Sequence, residues 1–226
     1  MKEFSLSVDF GDRKYDITMN DITRMFHMCY YNTRIWENTF WHGHQILKCP
    51  MDMWIYQEML WKIKPDYIIE TGTFKGGSAL YYAHLFDLQG KGEVITIDIN
   101  ERPNQPEHPR IHYISGSSAD PEIHTRVKDM IGEDKTVIVI LDSDHSRNHV
   151  FKEMNLWHSM VSPDSYMIVE DSNVNGYPVR PDFGPGPMEA INDFLQINDS
   201  FVIDASMEKF LMTQNPRGYL KKKGNR

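Results

Sequence analysis

The sequence predicts an α/β protein: a doubly wound, mostly parallel sheet, preceded by a β-hairpin and a helical extension. Three observations predict it. Short apolar runs recur at 67–69, 94–97, 111–114, 137–141 and 166–169; stretches of helical period fill the intervals; and a glycine-rich turn directly follows the first run. Strands that are apolar on both faces are buried on both, the condition of a parallel sheet covered by helices.

Phe4, Leu6, Val8 and Phe10 alternate with other residues up to a Gly11-Asp12 turn, and Tyr15, Ile17 and Met19 resume the alternation. That pattern reads as a small hairpin. Residues 21–41 read as an aromatic helix carrying Tyr30, Tyr31, Trp36, Phe40 and Trp41, and 51–64 as a second helix ended by Pro65. Residues 1–64 are thus a hairpin and helical cap of the same domain, and 65–226 its core. Core helices are expected at 78–88, 122–130, 149–160 and 188–195. Phe201-Val202-Ile203 and Phe210-Leu211-Met212 are expected to close the chain as an antiparallel pair at the sheet edge. The Lys221-Lys222-Lys223 run reads as a solvated tail.

With 226 residues, 40% of them hydrophobic, the chain can bury a substantial core. Its formal charge of -8 lacks the basic face that a nucleic-acid partner requires. Two cysteines and no signal-peptide pattern point to a reducing cytoplasm and not to a disulfide framework. No apolar stretch approaches the ~20 residues that span a bilayer. His42, His44 and Cys49 lack the spacing of a zinc site. The appended hairpin suggests a homo-oligomer.

In a doubly wound sheet, ligands bind beyond the carboxyl ends of the strands, so the residues just after each strand are the informative ones. The first strand runs into Glu70-Thr71-Gly72-Thr73-Phe74-Lys75-Gly76-Gly77-Ser78. Gly72 and Gly76 allow close backbone approach and a sharp turn into the helix. The spacing is neither the dinucleotide fingerprint nor a Walker loop. A leading carboxylate, Glu70, suits a cationic amino-acid moiety better than a phosphate, with Thr73 and Ser78 beside it. Asp98, after the second strand, can accept hydrogen bonds from two ribose hydroxyls. Ser117 and Ser118, after the third, suit an adenine edge. Asp120 reads equally as the N-cap of a helix opened by Pro121.

The fourth and fifth strands end in Asp142-Ser143-Asp144-His145 and Glu170-Asp171-Ser172-Asn173. Adjacent strands would gather Asp142, Asp144, Glu170 and Asp171, and like charges that close call for a cation. Oxygen ligands point to Mg²⁺ or a similar hard ion. Such an ion would hold a substrate hydroxyl through Asp142 and its neighbours, with His145 as the nearby general base. Residues 172–187, rich in Gly, Pro and Asn, are a candidate lid over this site.

These residues resemble a known family. Pro50-Met51-Asp52-Met53-Trp54, Glu70-Thr71-Gly72-Thr73, Leu141-Asp142-Ser143-Asp144-His145, Val169-Glu170-Asp171, Gly184-Pro185-Gly186-Pro187-Met188-Glu189-Ala190 and Asn215-Pro216-Arg217-Gly218-Tyr219-Leu220 together resemble the "cephalosporin hydroxylase" family, which includes rhamnosyl O-methyltransferases. The resemblance covers nearly everything after residue 40. It implies a Rossmann-like fold of the class I methyltransferase type, with sites for S-adenosylmethionine and Mg²⁺. A more distant similarity to catechol-type O-methyltransferases matches Glu70, Gly72, Gly76 and Ser78 on the first loop and Asp98 after the second strand. Their metal ligands fall on Asp142, Glu170 and Asp171, and their catalytic lysine on His145.

The expectation is an S-adenosylmethionine- and Mg²⁺-dependent O-methyltransferase acting on a saccharide or small-molecule hydroxyl. An iron hydroxylase and a non-catalytic cofactor- or nucleotide-sugar-binding module are the alternatives. Trp36, Phe40, Trp41 and the 172–187 loop are candidates for the acceptor pocket.

Overall fold

The apolar runs become strands because β-branched residues pack well on a pleated surface buried on both sides. The computed structural model describes residues 5–224; Phe4, the first residue of the expected hairpin pattern, lies outside them. The core strands are β5 (Tyr67–Thr71), β6 (Glu93–Asp98), β7 (Ile111–Ser115), β8 (Val137–Leu141), β9 (Tyr166–Val169), β10 (Phe201–Ile203) and β11 (Tyr219–Lys222). They form one sheet of order β10-β11-β9-β8-β5-β6-β7, in which β11 alone runs against the direction of the other strands. The chain moves outward from β5 through β6 to β7, then returns to β8 on the other side of β5. The β5–β8 boundary is therefore the topological switch point.

Alternate residues of each strand feed opposite layers. Ile69, Val139 and Leu141 pack with α4 (Pro121–Ile131), α5 (Arg147–Trp157) and α6 (Pro187–Ile197) around the fully buried Trp157. Ile68, Ile138 and Ile140 pack with α2 (Pro50–Ile63) and α3 (Gly77–Gln89) around Tyr56, Tyr82 and Phe86. Pro121 and Pro187 each occupy the first turn of their helix, and Asp120 accepts from the Glu122 amide as an N-cap.

The expected hairpin is β1 (Ser5–Phe10) with β2 (Arg13–Thr18). The expected helix over 21–41 is a correction. Helix α1 is Met19–Asn32, opened by a Thr18–Asp21 capping box, and it stops where the Thr33 hydroxyl bonds back to the Cys29 carbonyl at 2.7 Å and Arg34 turns left-handed. A 3-10 turn (Ile35–Asn38) and a two-residue hairpin follow, β3 (Phe40–Trp41) and β4 (His44–Gln45).

The C-terminal pairing is a second correction. Residues 210–212 form a loop with Leu211 left-handed, and the partner of β10 is β11, inserted between β9 and β10. The basic run is hence no solvated tail: Lys221 and Lys222 are strand residues, and the Lys222 ammonium caps the end of α5 at the carbonyls of His158 (3.1 Å) and Val161 (2.7 Å). The cation suits the negative end of the helix dipole. No helix among the described residues is long and apolar enough to cross a membrane.

Candidate active site

A cleft of about 620 Å³ opens at the carboxyl ends of β5, β6, β7, β8 and β9. Its size is that of a small-molecule site. One wall is the β5–α3 turn with the ends of β6 and β7. Gly72, Thr73 and Ser78 line it, together with Asp98, Ser117 and Ser118. Both Asp98 oxygens accept backbone amides, from Phe74 (2.9 Å) and Asn100 (2.8 Å), which fixes the carboxylate at the lip. The Ser118 hydroxyl lies 3.3 Å from His149 Nε2, and its carbonyl accepts from the Trp157 indole.

Two residues expected on the cofactor wall stand behind it. Gly76 caps α3 in the left-handed region, and a side chain there would strike Pro106 and Tyr113, away from the cleft. Glu70 is fully buried on the α2–α3 side of the sheet, because strand alternation turns it from the cleft. Its Oε2 accepts from the Thr96 hydroxyl at 2.7 Å, while Oε1 has no partner. Burial pushes its pKa up to about 7, against the opposing charge of Lys48. A buried orphan acceptor under a ligand loop fits a cationic group arriving from outside.

The opposite wall carries the acids. Asp142, His145 and Asp171 each offer one donor atom, all within 4.8 Å of one another. His145 Nε2 is 3.2 Å from Asp171 Oδ2. The other two expected ligands do not converge there. Asp144 turns back to accept the Ser146 amide at 2.7 Å at the start of α5, and the Ser146 hydroxyl and amide together hold its pKa below the usual carboxylate range. Glu170 points to the α2–α3 side, where it meets Lys48 Nζ at 2.5 Å and the Tyr56 hydroxyl at 2.9 Å.

Lys48 also meets Asp142 Oδ2 at 2.6 Å. Burial works against its charge, but Asp142 and Glu170 together outweigh that and hold its pKa well above the ordinary lysine value. Part of the cation demanded by the crowded carboxylates is therefore supplied by the chain itself. Lys48 escapes sequence reasoning because it sits outside any strand end. The signal was the carboxylate excess, and it pointed to a metal alone. The network continues from the Tyr56 hydroxyl to Asn215 Nδ2 (2.8 Å), whose Oδ1 accepts the Asp171 amide (3.0 Å).

Beyond the acids, Tyr31 and Trp36 stack with ring centroids 5.5 Å apart and line the cleft with Arg180 and Phe183. Of the other aromatics expected there, Phe40 is solvent-exposed, and Trp41 packs on Tyr81 and donates to His84 Nδ1 at 3.0 Å. The 172–187 loop is held to the body: the Ser172 hydroxyl donates to the Pro216 carbonyl (2.7 Å), and the Asn173 backbone N–H donates to the Gln214 carbonyl (3.2 Å).

The family model for "Rhamnosyl O-methyltransferase/CmcI" matches residues 33–223. The rhamnosyl O-methyltransferase of Mycobacterium tuberculosis is 38% identical over 206 residues, covering 88% of this chain and 84% of its own. Among solved structures, apo CmcI aligns with a TM-score of 0.63 at 24% identity, covering 84% of this chain and 78% of its own. CmcI with Mg and SAM aligns with a TM-score of 0.61 at 22% identity, covering 82% and 77%. The structural likenesses speak for the class I methyltransferase fold. The extent of the family match and the mycobacterial relative identify the chain as a member of the rhamnosyl O-methyltransferase/CmcI family, an S-adenosylmethionine-dependent O-methyltransferase.

Proposed function

We propose that the chain methylates a hydroxyl of a saccharide, using Mg²⁺ held at the acid wall. The observation that carries this reading is the two-walled cleft, with a glycine-turn wall facing Asp142, His145 and Asp171 across one cavity. The relatives named rhamnosyl O-methyltransferase support a sugar as acceptor, and free Cys29 and Cys49 suit a reducing compartment.

Gly72, Thr73, Ser78, Asp98, Ser117 and Ser118 bind the cofactor. Glu70 acts from beneath the loop through its unpaired Oε1. Asp142 and Asp171 would hold the ion, since Mg²⁺ takes one or two carboxylates and keeps the rest of its shell for water and substrate. When bound, the ion lowers the pKa of a coordinated hydroxyl, and the cofactor supplies a methyl sulfonium. His145, a nitrogen donor that a hard ion does not need, is left to accept the hydroxyl proton, oriented by Asp171. Methyl transfer demands in-line placement above all, so the walls contribute chiefly by fixing the two reactants. Tyr31 and Trp36 offer an aromatic face to the sugar ring.

The iron-hydroxylase reading wants two histidines and one carboxylate. The convergent set here is one histidine and two carboxylates. A test is methyl transfer from S-adenosylmethionine to methyl α-L-rhamnoside, measured as S-adenosylhomocysteine formed. EDTA should cut the rate at least about tenfold and Mg²⁺ restore it. Full activity in EDTA would remove the ion from the mechanism.

A further inference from the structure

Lys48 is 3% exposed, and both of its carboxylate partners end neighbouring strands, Asp142 after β8 and Glu170 after β9. It is an anchored cation. The chain just before it is clamped at Gln45, whose side chain accepts from Lys75 (2.7 Å) and donates to the Glu37 carbonyl (2.6 Å). The Gln45 carbonyl presses so closely on Gly77 that an added Cβ would stand 2.3 Å away. Helix α2 begins at Pro50, immediately after. Lys48 can therefore neither leave with solvent nor swing out of the core at low cost.

Asp142 belongs to two groupings at once. It is a partner of Lys48 and a member of the Asp142–His145–Asp171 cluster. An ion bound to that cluster shares a carboxylate with a fixed ammonium, and the two positive charges repel across a poorly solvated gap. We propose that Lys48 is a positioning residue that sets the ion affinity of the centre, competing with the divalent cation for Asp142 and holding Glu170 as its own counter-ion. The ion is thereby kept weakly bound and exchangeable, and the acceptor oxygen makes up the ligation that Lys48 withholds.

This inference rests on the metal reading above. The test counts bound Mn²⁺ by the loss of the free-ion EPR signal at pH 7.5, with no turnover involved, in the wild type, Lys48→Met, Lys48→Gln and Lys48→Arg. Lys48→Met should bind Mn²⁺ at least tenfold more tightly, about 1.4 kcal/mol, and Lys48→Arg should stay within about threefold of the wild type. A merely structural role predicts the reverse, because a loosened site binds ions less well. Should Lys48→Met fail to fold, Lys48→Gln can still donate to one carboxylate, and it should show the same tightening. Equal or weaker Mn²⁺ binding by the folded neutral variants overturns the inference and leaves the metal reading standing. No Mn²⁺ bound by the wild type or by any variant overturns the metal reading as well.

Discussion

At Gly72 the backbone runs at φ +89°, and an added Cβ would stand 1.9 Å from the Asp142 carbonyl oxygen. The glycine lines the cleft, yet the requirement for it comes first from the side-by-side ends of the parallel strands β5 and β8, where the Asp142 amide also bonds to the Thr71 carbonyl at 3.0 Å. Gly72→Ala should therefore cost more than a left-handed alanine costs elsewhere. Gly90, at φ +75° with open space around the added Cβ, isolates the conformational part. Gly90→Ala should lose about 1 kcal/mol. Gly72→Ala should lose about 3 kcal/mol, as strain and overpacking combine. Urea denaturation of the two variants decides it: equal losses would show that the β8 carbonyl yields freely.

Helix α1 is joined to the core at one buried residue, His27, whose Nε2 accepts from Asn173 Nδ2 at 2.9 Å. The acceptor role requires a neutral ring, and burial pulls the His27 pKa down to about 4. Between that value and the ordinary 6.5, the unfolded chain binds one more proton than the folded chain does. Stability is full above the ordinary value and falls as the pH drops through the window. From pH 7 to pH 5 the wild type should lose about 2 kcal/mol more than His27→Gln, by urea denaturation at both pH values. Parallel losses would show that His27 is not the coupling group. The element scale also shows how far sequence patterns reach. The five parallel strands were legible because Val and Ile runs have few alternatives to a buried sheet. Strand β11 was hidden, since Lys221-Lys222-Lys223 carries the charge of a surface tail while Tyr219 and Leu220 alone carry the core signal. The end of α1 was hidden because the aromatic spacing continues past Asn32, and only the Thr33 back-bond and the left-handed Arg34 stop it. In the site, Asp142, His145 and Asp171 were readable from strand ends. Which way Glu70 and Glu170 turn depends on strand facing, and Lys48 depends on a fold-back that no local pattern encodes.

Across the whole molecule, the core is covered but the N-terminal arm is not. Strands β1 and β2 pair only with each other among the described residues. A lone two-stranded hairpin is marginal in water. Met25 (57% exposed) and Phe26 (49%) on α1 lie open with Leu6 and Tyr15 on the hairpin, whereas every apolar residue of β5, β8 and β9 except the half-buried Tyr67 is buried. Large apolar side chains left open together on one arm point to an association site. A second copy of the arm is the partner we expect, since each copy then covers the same surface on the other, the arrangement of a two-fold dimer. Every copy carries a formal charge of -8, so long-range repulsion opposes the contact while apolar burial drives it. Salt screens the first and leaves the second. Light scattering after size exclusion should therefore give a mass that is a multiple of 26.5 kDa, with dissociation on dilution suppressed as NaCl is raised. The double variant Met25→Glu, Phe26→Glu should run at the monomer mass with the same far-UV circular dichroism. A wild-type protein that stays monomeric at all concentrations and salt levels would mean that the arm serves another purpose. A dimer that dissociates as salt is added would mean that ion pairs, and not the apolar face, hold the copies together.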